Sequence, residues 1–75
     1  MKDIKSVFGA ELRRARMEAG MTQEDLAFDG EVGLRFLGEL ENGYKLPGLM
    51  TLFKLSKALN TTPGELIGPA WDAYQ

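Results

Sequence analysis

Turn-forming residues interrupt this chain at short intervals, and they restrict its fold more than any other feature does. Between the turns, apolar residues recur every three or four positions, which is the spacing of one face of a helix. No segment shows the strict alternation expected of a strand. The turns fall at Gly20, Asp29 to Glu31, Asn42-Gly43, Pro47-Gly48 and Thr62 to Gly64. The sequence therefore predicts an all-α domain of five short helices with short connections.

The apolar faces of these helices predict the core. They consist of Phe8, Leu12, Ala15 and Ala19 in the first helix, Leu26 and Ala27 in the second, Leu37 and Leu40 in the third, Leu49, Leu52, Leu55 and Leu59 in the fourth, and Leu66 and Ile67 in the last. Two helices begin with the pattern of a capping box, formed by Thr22 with Asp25 and by Thr62 with Glu65. The tail from residue 68 to residue 75 is predicted to be either loosely helical or extended.

The composition excludes several classes of function. With 75 residues, 44% of them apolar and 27% charged, the chain has the size and make-up of one globular domain. It has no cysteine and no histidine, which excludes disulfides, thiolate zinc sites, imidazole bases and most transition-metal sites. Its nine glycines are scattered rather than grouped in a phosphate-binding loop. We therefore expect no catalytic residue, no metal and no cofactor.

No apolar stretch is long enough to span a membrane, and the amino terminus lacks the apolar region of a signal peptide. We accordingly expect a cytoplasmic protein without a membrane partner. Charge is unevenly distributed along its length. Residues 1–23 carry five basic and three acidic side chains, a net of +2, whereas residues 24–41 carry one basic and six acidic ones, a net of −5. This acidic middle argues against a protein that simply coats nucleic acid.

Two runs separated by a turn have a specific resemblance. Residues 22–27 (Thr-Gln-Glu-Asp-Leu-Ala) and residues 37–43 (Leu-Gly-Glu-Leu-Glu-Asn-Gly), followed by Pro47, resemble the phage-repressor and Cro type of helix-turn-helix, the xenobiotic response element family. The resemblance covers roughly residues 6–68. It implies a lambda-repressor-like helix-turn-helix bundle over residues 1–68, which binds double-stranded DNA. Residues 69–75 remain as a C-terminal tail, which could contribute to a dimer contact.

The resemblance also implies roles for individual residues. The third helix would lie in the major groove, with its outer side chains on base edges. The base-reading candidates are Leu34, Arg35, Gly38 and Glu39. The phosphate-contacting candidates are Arg13, Arg14, Gln23, Asn42, Tyr44 and Lys45. Of these, Gln23 resembles the family's phosphate- and base-contacting glutamine, although it could also be only an exposed residue early in the helix. Arg16 and Glu41 would form an internal ion pair with a structural role.

Several of these assignments have alternatives that the sequence leaves open. Leu34 and Phe36 could close a dimer or cap the core instead of facing DNA. Arg13, Arg14 and Arg35 could be solvated surface residues.

Two positions depart from the family pattern. Glu31 occupies a place where the family usually has glycine, because the backbone there tends to need positive φ. Either the turn shifts by one residue to use Gly30, or Glu31 accepts a strained conformation. Gly33 is a weaker N-cap for the third helix than the usual serine or threonine.

The leading hypothesis is a sequence-specific transcriptional regulator, repressor-like, that acts as a homodimer on a palindromic operator. Phe53, Ile67, Trp71 and Tyr74 exceed what a core of this size needs, so they form either a dimer interface or a lid over their own core. The alternative function is a protein-interaction module, which would use the acidic, apolar face of the third helix on a protein partner.

Overall fold

The computed structural model describes residues 3–75, and within that range it contains five α-helices and no strand. The helices are α1 (Ile4–Glu18), α2 (Gln23–Asp29), α3 (Leu34–Glu41), α4 (Leu49–Ala58) and α5 (Pro63–Tyr74). None of these helices has the length and apolarity that crossing a membrane requires. The predicted fold class is confirmed.

Both predicted capping boxes are present. The hydroxyl of Thr22 accepts a hydrogen bond from the backbone N–H of Asp25 at 3.0 Å, and the carboxylate of Asp25 accepts one from the backbone N–H of Thr22 at 3.0 Å. Thr62 and Glu65 make the equivalent pair at the start of α5, where Pro63 is the first helical residue. Backbone donors that a helix start leaves unpaired are thereby satisfied.

In the turn between α2 and α3, Glu31 takes the strained conformation, and the turn does not shift to use Gly30. Gly30 ends α2 with an ordinary helical φ of −86°, whereas Glu31 has a φ of +54°. A side chain in the left-handed region costs about 1 kcal/mol. The turn therefore keeps its family position despite lacking glycine there, and Gly33 caps α3 without a side-chain hydrogen bond.

The core is made of one side of every helix, and most of the predicted apolar positions belong to it. Its buried members are Phe8, Leu12, Leu26, Ala27, Leu37, Leu40, Leu55, Leu59, Leu66 and Ala70. The prediction was wrong for Leu49, which is 67% exposed, for Ala19, which is also exposed, and for Ile67, which is 39% exposed. Leu49 and Ala19 lie at helix ends, where helical spacing carries a side chain past the neighbouring helices.

The helix α1 packs most extensively against α5 and also against α3. Its approach to α3 depends on Gly9, since a Cβ there would lie against the carbonyl oxygen of Leu40 and 2.7 Å from that of Glu41. The approach to α5 continues into the tail, because α5 extends to Tyr74 and buries Ala70 in the core. The tail is thus helical, and Pro69 lies inside that helix.

Candidate nucleic-acid interface

One side of α3 is buried and the other is open. Leu37 and Leu40 are fully buried, whereas Leu34 is 47% exposed and Arg35 is exposed. A Cβ added at Gly38 would meet nothing within 4 Å, so the space in front of this residue is free. We call Leu34, Arg35, Gly38 and Glu39 the α3 face.

The acidic member of the α3 face has a basic partner. Glu39 is half-buried, and its carboxylate lies 3.3 Å from the ammonium group of Lys45. The same ammonium lies 5.9 Å from the centre of the Phe36 ring, in the geometry of a cation–π contact. Phe36 itself is half-buried and packs against the core. Lys45 therefore offsets part of the negative charge on this side of α3.

At the carboxyl-terminal end of α3, three polar side chains form a connected network. Arg16 Nε donates to Glu41 Oε2 at 2.7 Å, and Arg16 Nη2 donates to Glu41 Oε1 at 3.1 Å. A third donor, Arg16 Nη1, bonds the carbonyl oxygen of Met21 at 2.8 Å. The hydrogen bond to Glu41 raises the pKa of Arg16, against the opposing effect of burial. The network joins α1, the loop before α2 and the end of α3.

Gln23 is the outer member of this network. Its Nε2 donates to Glu41 Oε1 at 3.1 Å, and the side chain is only half-buried. Close by, the start of α2 already carries two carboxylates, those of Glu24 and Asp25. The hydrogen bond from the backbone N–H of Thr22 lowers the pKa of Asp25, so this carboxylate stays ionised at neutral pH. Gln23 therefore bonds a carboxylate whose charge is paired with Arg16, and it precedes two further carboxylates along α2.

The two arginines predicted to contact phosphate differ. Arg14 is bound to Glu11 at 2.6 Å and to Glu18 at 2.7 Å. The hydrogen bond between Arg14 and Glu11 raises the pKa of the arginine and lowers that of the carboxyl group. Arg13 is exposed and has no ion-pair partner among residues 3–75. It lines an open groove of about 530 Å³ together with Arg14 and Asn42, which brings these three candidates to one place.

The loop after α3 carries the other two phosphate candidates. Gly43 has a φ of +77° and passes so close to α1 that a Cβ there would lie 2.9 Å from the hydroxyl oxygen of Ser6. The chain then turns outward, leaving Tyr44 69% exposed and Lys45 exposed. The same tight turn thus ends α3 and presents two side chains that can donate hydrogen bonds.

Large apolar side chains on α4, α5 and the loop before α4 are exposed. They are Leu46, Leu49, Met50, Phe53, Ile67, Trp71 and Tyr74, and we call them the apolar face; Leu46, Ile67, Trp71 and Tyr74 line one groove. The rings of the last two stack with their centres 6.0 Å apart and border a groove of about 290 Å³. They are 57% and 64% exposed, and the groove also includes the buried Phe8 and Ala70. Helical spacing placed Leu49 in the core, and Leu46 and Met50 have no sequence signal beyond their position near the Pro47-Gly48 turn.

Comparison with known proteins agrees with this arrangement. The helix-turn-helix family model matches residues 12–66. A protein of Sinorhizobium fredii, named the uncharacterized HTH-type transcriptional regulator y4dJ, is 33% identical over 67 residues, which are 89% of this chain and 87% of that protein. Control protein C.BamHI of Bacillus amyloliquefaciens is 32% identical over 66 residues, or 87% and 82% of the two chains.

A solved structure supports the same grouping. The restriction-modification controller protein C.AhdI from Aeromonas hydrophila superposes with a TM-score of 0.80 at 35% identity, over 83% of this chain and 94% of that one. The matched family segment contains α2, α3 and the whole of the α3 face. The chain belongs to the helix-turn-helix family, and it is a DNA-binding transcriptional regulator.

Proposed function

We propose that this regulator acts as a homodimer on a palindromic operator, that it places α3 in the major groove, and that it works without chemistry of its own. The observation that carries the proposal is the open front of α3. Leu37 and Leu40 fix the inner side of the helix in the core, while nothing obstructs Gly38 on the outer side. A helix can enter the major groove only when its outer side is free in this way.

Within that placement, the α3 face makes the base contacts. Arg35 is the only basic residue of α3, and its guanidinium can bind O6 and N7 of guanine together. Glu39 can accept from N4 of cytosine, and Leu34 can contact the methyl group of thymine. Gly38 keeps the helix close to the bases, because it adds no side chain between them.

The phosphate contacts flank these base contacts. Arg13 and Asn42 share one groove, while Tyr44 and Lys45 extend from the loop after α3. Arg14 contributes by exchanging one of its two carboxylate partners for a phosphate oxygen. Because most of these basic groups already have acidic partners, one protomer gains little electrostatic attraction to DNA.

Homodimer formation through the apolar face overcomes this weakness. Large apolar and aromatic side chains, depleted in charge, are the composition of an interface centre. Two linked protomers add their contacts, because the second half-site is bound at high effective concentration. Since operators lie in the cytoplasm of a bacterial cell, the proposal expects the protein there.

Selection of bound DNA from a random library tests the proposal. We expect the selection to enrich a palindromic sequence whose half-site centres are about one helical turn apart. Fluorescence anisotropy with this operator should then show affinity that rises as salt falls, and a scrambled operator of equal length is the control. If no sequence is enriched even at low salt, DNA binding in this mode is wrong. A defined protein partner that binds the α3 face would then favour the interaction module.

A further inference from the structure

We propose that Leu46 is the positioning residue for the phosphate contact of Lys45, and that the groove lined by Leu46 couples this contact to dimer formation. The inference rests on the proposed DNA-binding mode and on the proposed homodimer, and it adds a link between their two surfaces. Both residues lie in the loop between α3 and α4, which spans residues 42–48.

The middle of this loop is not held by its backbone. The turn at the end of α3 closes with a hydrogen bond of 2.9 Å from the backbone N–H of Tyr44 to the carbonyl oxygen of Glu39. Helix α4 takes over at Gly48, whose carbonyl oxygen accepts the first hydrogen bond of that helix. Within residues 3–75, no hydrogen bond between backbone groups involves residues 45–47. Their positions therefore depend on the contacts of their side chains.

Two consecutive side chains of the loop belong to different surfaces. The ammonium group of Lys45 lies 3.3 Å from a carboxylate oxygen of Glu39 and 5.9 Å from the centre of the Phe36 ring. An ammonium has three N–H donors, so this pairing leaves two for a phosphate oxygen. Leu46, the next residue, instead lines the groove of the apolar face together with Trp71. A shift of Leu46 therefore reaches Lys45 through a single planar peptide unit.

The groove, about 290 Å³ in volume, is lined by both the loop and α5. Its lining includes the buried core residues Phe8 and Ala70, whereas Leu46 is 47% and Trp71 57% exposed. In one protomer, Leu46 therefore lacks packing partners on the side that faces the groove. Side chains that border unfilled space forgo van der Waals contacts. An apolar group that fills the groove would supply these contacts and hold Leu46 in one position.

The occupant that the surface favours is a second copy of the chain. Met50 and Phe53 on α4 are exposed apolar side chains, and neither lines the groove of its own protomer. In a two-fold dimer each contact between two residues occurs twice, so α4 of each copy can fill the groove of the other. Dimer formation would then fix Leu46, and with it Lys45, for phosphate binding. By linkage, DNA binding would strengthen the dimer by the same factor.

A duplex that contains one half-site tests the coupling, because it removes the gain that two linked sites provide. The half-site is taken from the operator obtained by selection, and anisotropy gives its affinity for each protomer. The double variant Met50→Gln with Phe53→Gln should be monomeric in sedimentation and should bind this duplex about tenfold more weakly than the unaltered dimer. Phe28→Gln, which changes an exposed ring outside the apolar face, should bind it as the unaltered protein does.

Two results would overturn the coupling. If the monomeric double variant and the unaltered dimer bind the half-site equally, dimer formation does not act through the loop. If the double variant remains a dimer, α4 does not fill the groove.

Leu46→Ala tests the positioning role. We expect half-site binding to weaken about fivefold, and the slope of log affinity against log salt to become shallower by about one, as when a lysine loses one phosphate. Phe28→Ala removes a large exposed side chain elsewhere and should change neither quantity. Thermal unfolding should show both variants folded, because both side chains are largely exposed. An unchanged salt slope in Leu46→Ala would overturn the positioning role.

Lys45→Gln identifies the group through which Leu46 acts. On the Lys45→Gln background, adding Leu46→Ala should weaken half-site binding by less than about twofold, since the contact that Leu46 positions is already absent. An equal effect of Leu46→Ala with and without Lys45→Gln would mean that Leu46 does not act through Lys45, and the proposal would fail.

The outcomes separate the proposals. If the library yields no operator, the DNA-binding mode itself has failed. If the unaltered protein is monomeric at every concentration, the homodimer and its coupling have failed, while Leu46→Ala and Lys45→Gln still decide the positioning role. If an operator and a dimer are both found and Leu46→Ala binds the half-site as Phe28→Ala does, only the inference about Leu46 has failed.

Discussion

Around α3, most charges have a partner within the molecule, whereas on the apolar face large side chains have none. Glu39 is paired with Lys45, and Glu41 with Arg16 and Gln23. On α5, by contrast, more than half of the Trp71 and Tyr74 side chains is exposed. The difference indicates that the two surfaces have different roles. In the proposed binding mode, paired charges limit attraction to any DNA and leave selectivity to directional contacts, and the exposed apolar area is the surface proposed for dimer formation.

The largest effect is expected at Gly9, on which the close approach of α1 to α3 depends. In Gly9→Ala, the added methyl group would press on the carbonyl oxygens of Leu40 and Glu41, both of them backbone atoms that cannot swing aside. We expect the free energy of unfolding to fall by about 3 kcal/mol or more. Urea denaturation followed by circular dichroism measures it.

Gly38→Ala is the matched control, because it adds the same methyl group on the open side of α3. Replacing glycine by alanine at an open position inside a helix should raise the free energy of unfolding by about 0.5–1 kcal/mol. Operator binding should nevertheless weaken, since the methyl group occupies space next to the bases. Equal losses of stability in the two variants would show that α3 has no open side.

The apolar face is tested by Trp71→Ala. We expect a monomer at micromolar concentration in sedimentation, and an operator affinity at least tenfold weaker because the two half-sites are no longer bound together. The fold should be little affected, since the side chain is 57% exposed. Phe28→Ala is the control, because Phe28 is 83% exposed on α2, outside the apolar face. If both variants remain dimers, the interface lies elsewhere.

Selectivity on the α3 face is tested by Arg35→Ala. We expect a loss of about 1–3 kcal/mol in operator binding, confined to discrimination at one base pair. Lys57→Ala removes a basic residue at the end of α4, and it should leave that discrimination intact. Binding assays with the four base pairs at each operator position provide the measurement. Retained discrimination at every position in Arg35→Ala would contradict the groove placement of α3.

The smallest effect concerns the turn that joins α2 to α3. Glu31 has a φ of +54°, so Glu31→Gly should raise the free energy of unfolding by about 1 kcal/mol. Asn60 has a φ of +55°, but asparagine tolerates this region, so Asn60→Gly should gain less. Thermal unfolding of both variants gives the comparison. A larger gain for Asn60→Gly would mean that the Glu31 side chain does not strain the turn between α2 and α3.

Local chemistry made much of the fold predictable. The capping boxes at Thr22 and Thr62 depend on residues three positions apart, and the positive φ of Gly20 and Gly43 follows from where the helices end. The burial of Leu37 and Leu40 likewise follows from helical spacing. Such features involve neighbours in the chain, so the sequence alone contains the information.

Features that depend on distant neighbours were harder to predict. Helical spacing placed Leu49 in the core, but no other helix covers the first residue of α4, and the side chain is exposed. The bond between Gln23 and Glu41 joins residues 18 positions apart, so no local pattern indicates it. Gly9 did offer a signal, since glycine inside a helix suggests close approach of another backbone.

The pairing of α1 with α5 has a consequence for synthesis in the cell. The helix α1 is made before α5, the helix on which it packs most extensively, so part of its apolar side stays uncovered until Leu66 and Ala70 have been made. A nascent chain halted after α4 would present this apolar surface to chaperones and proteases.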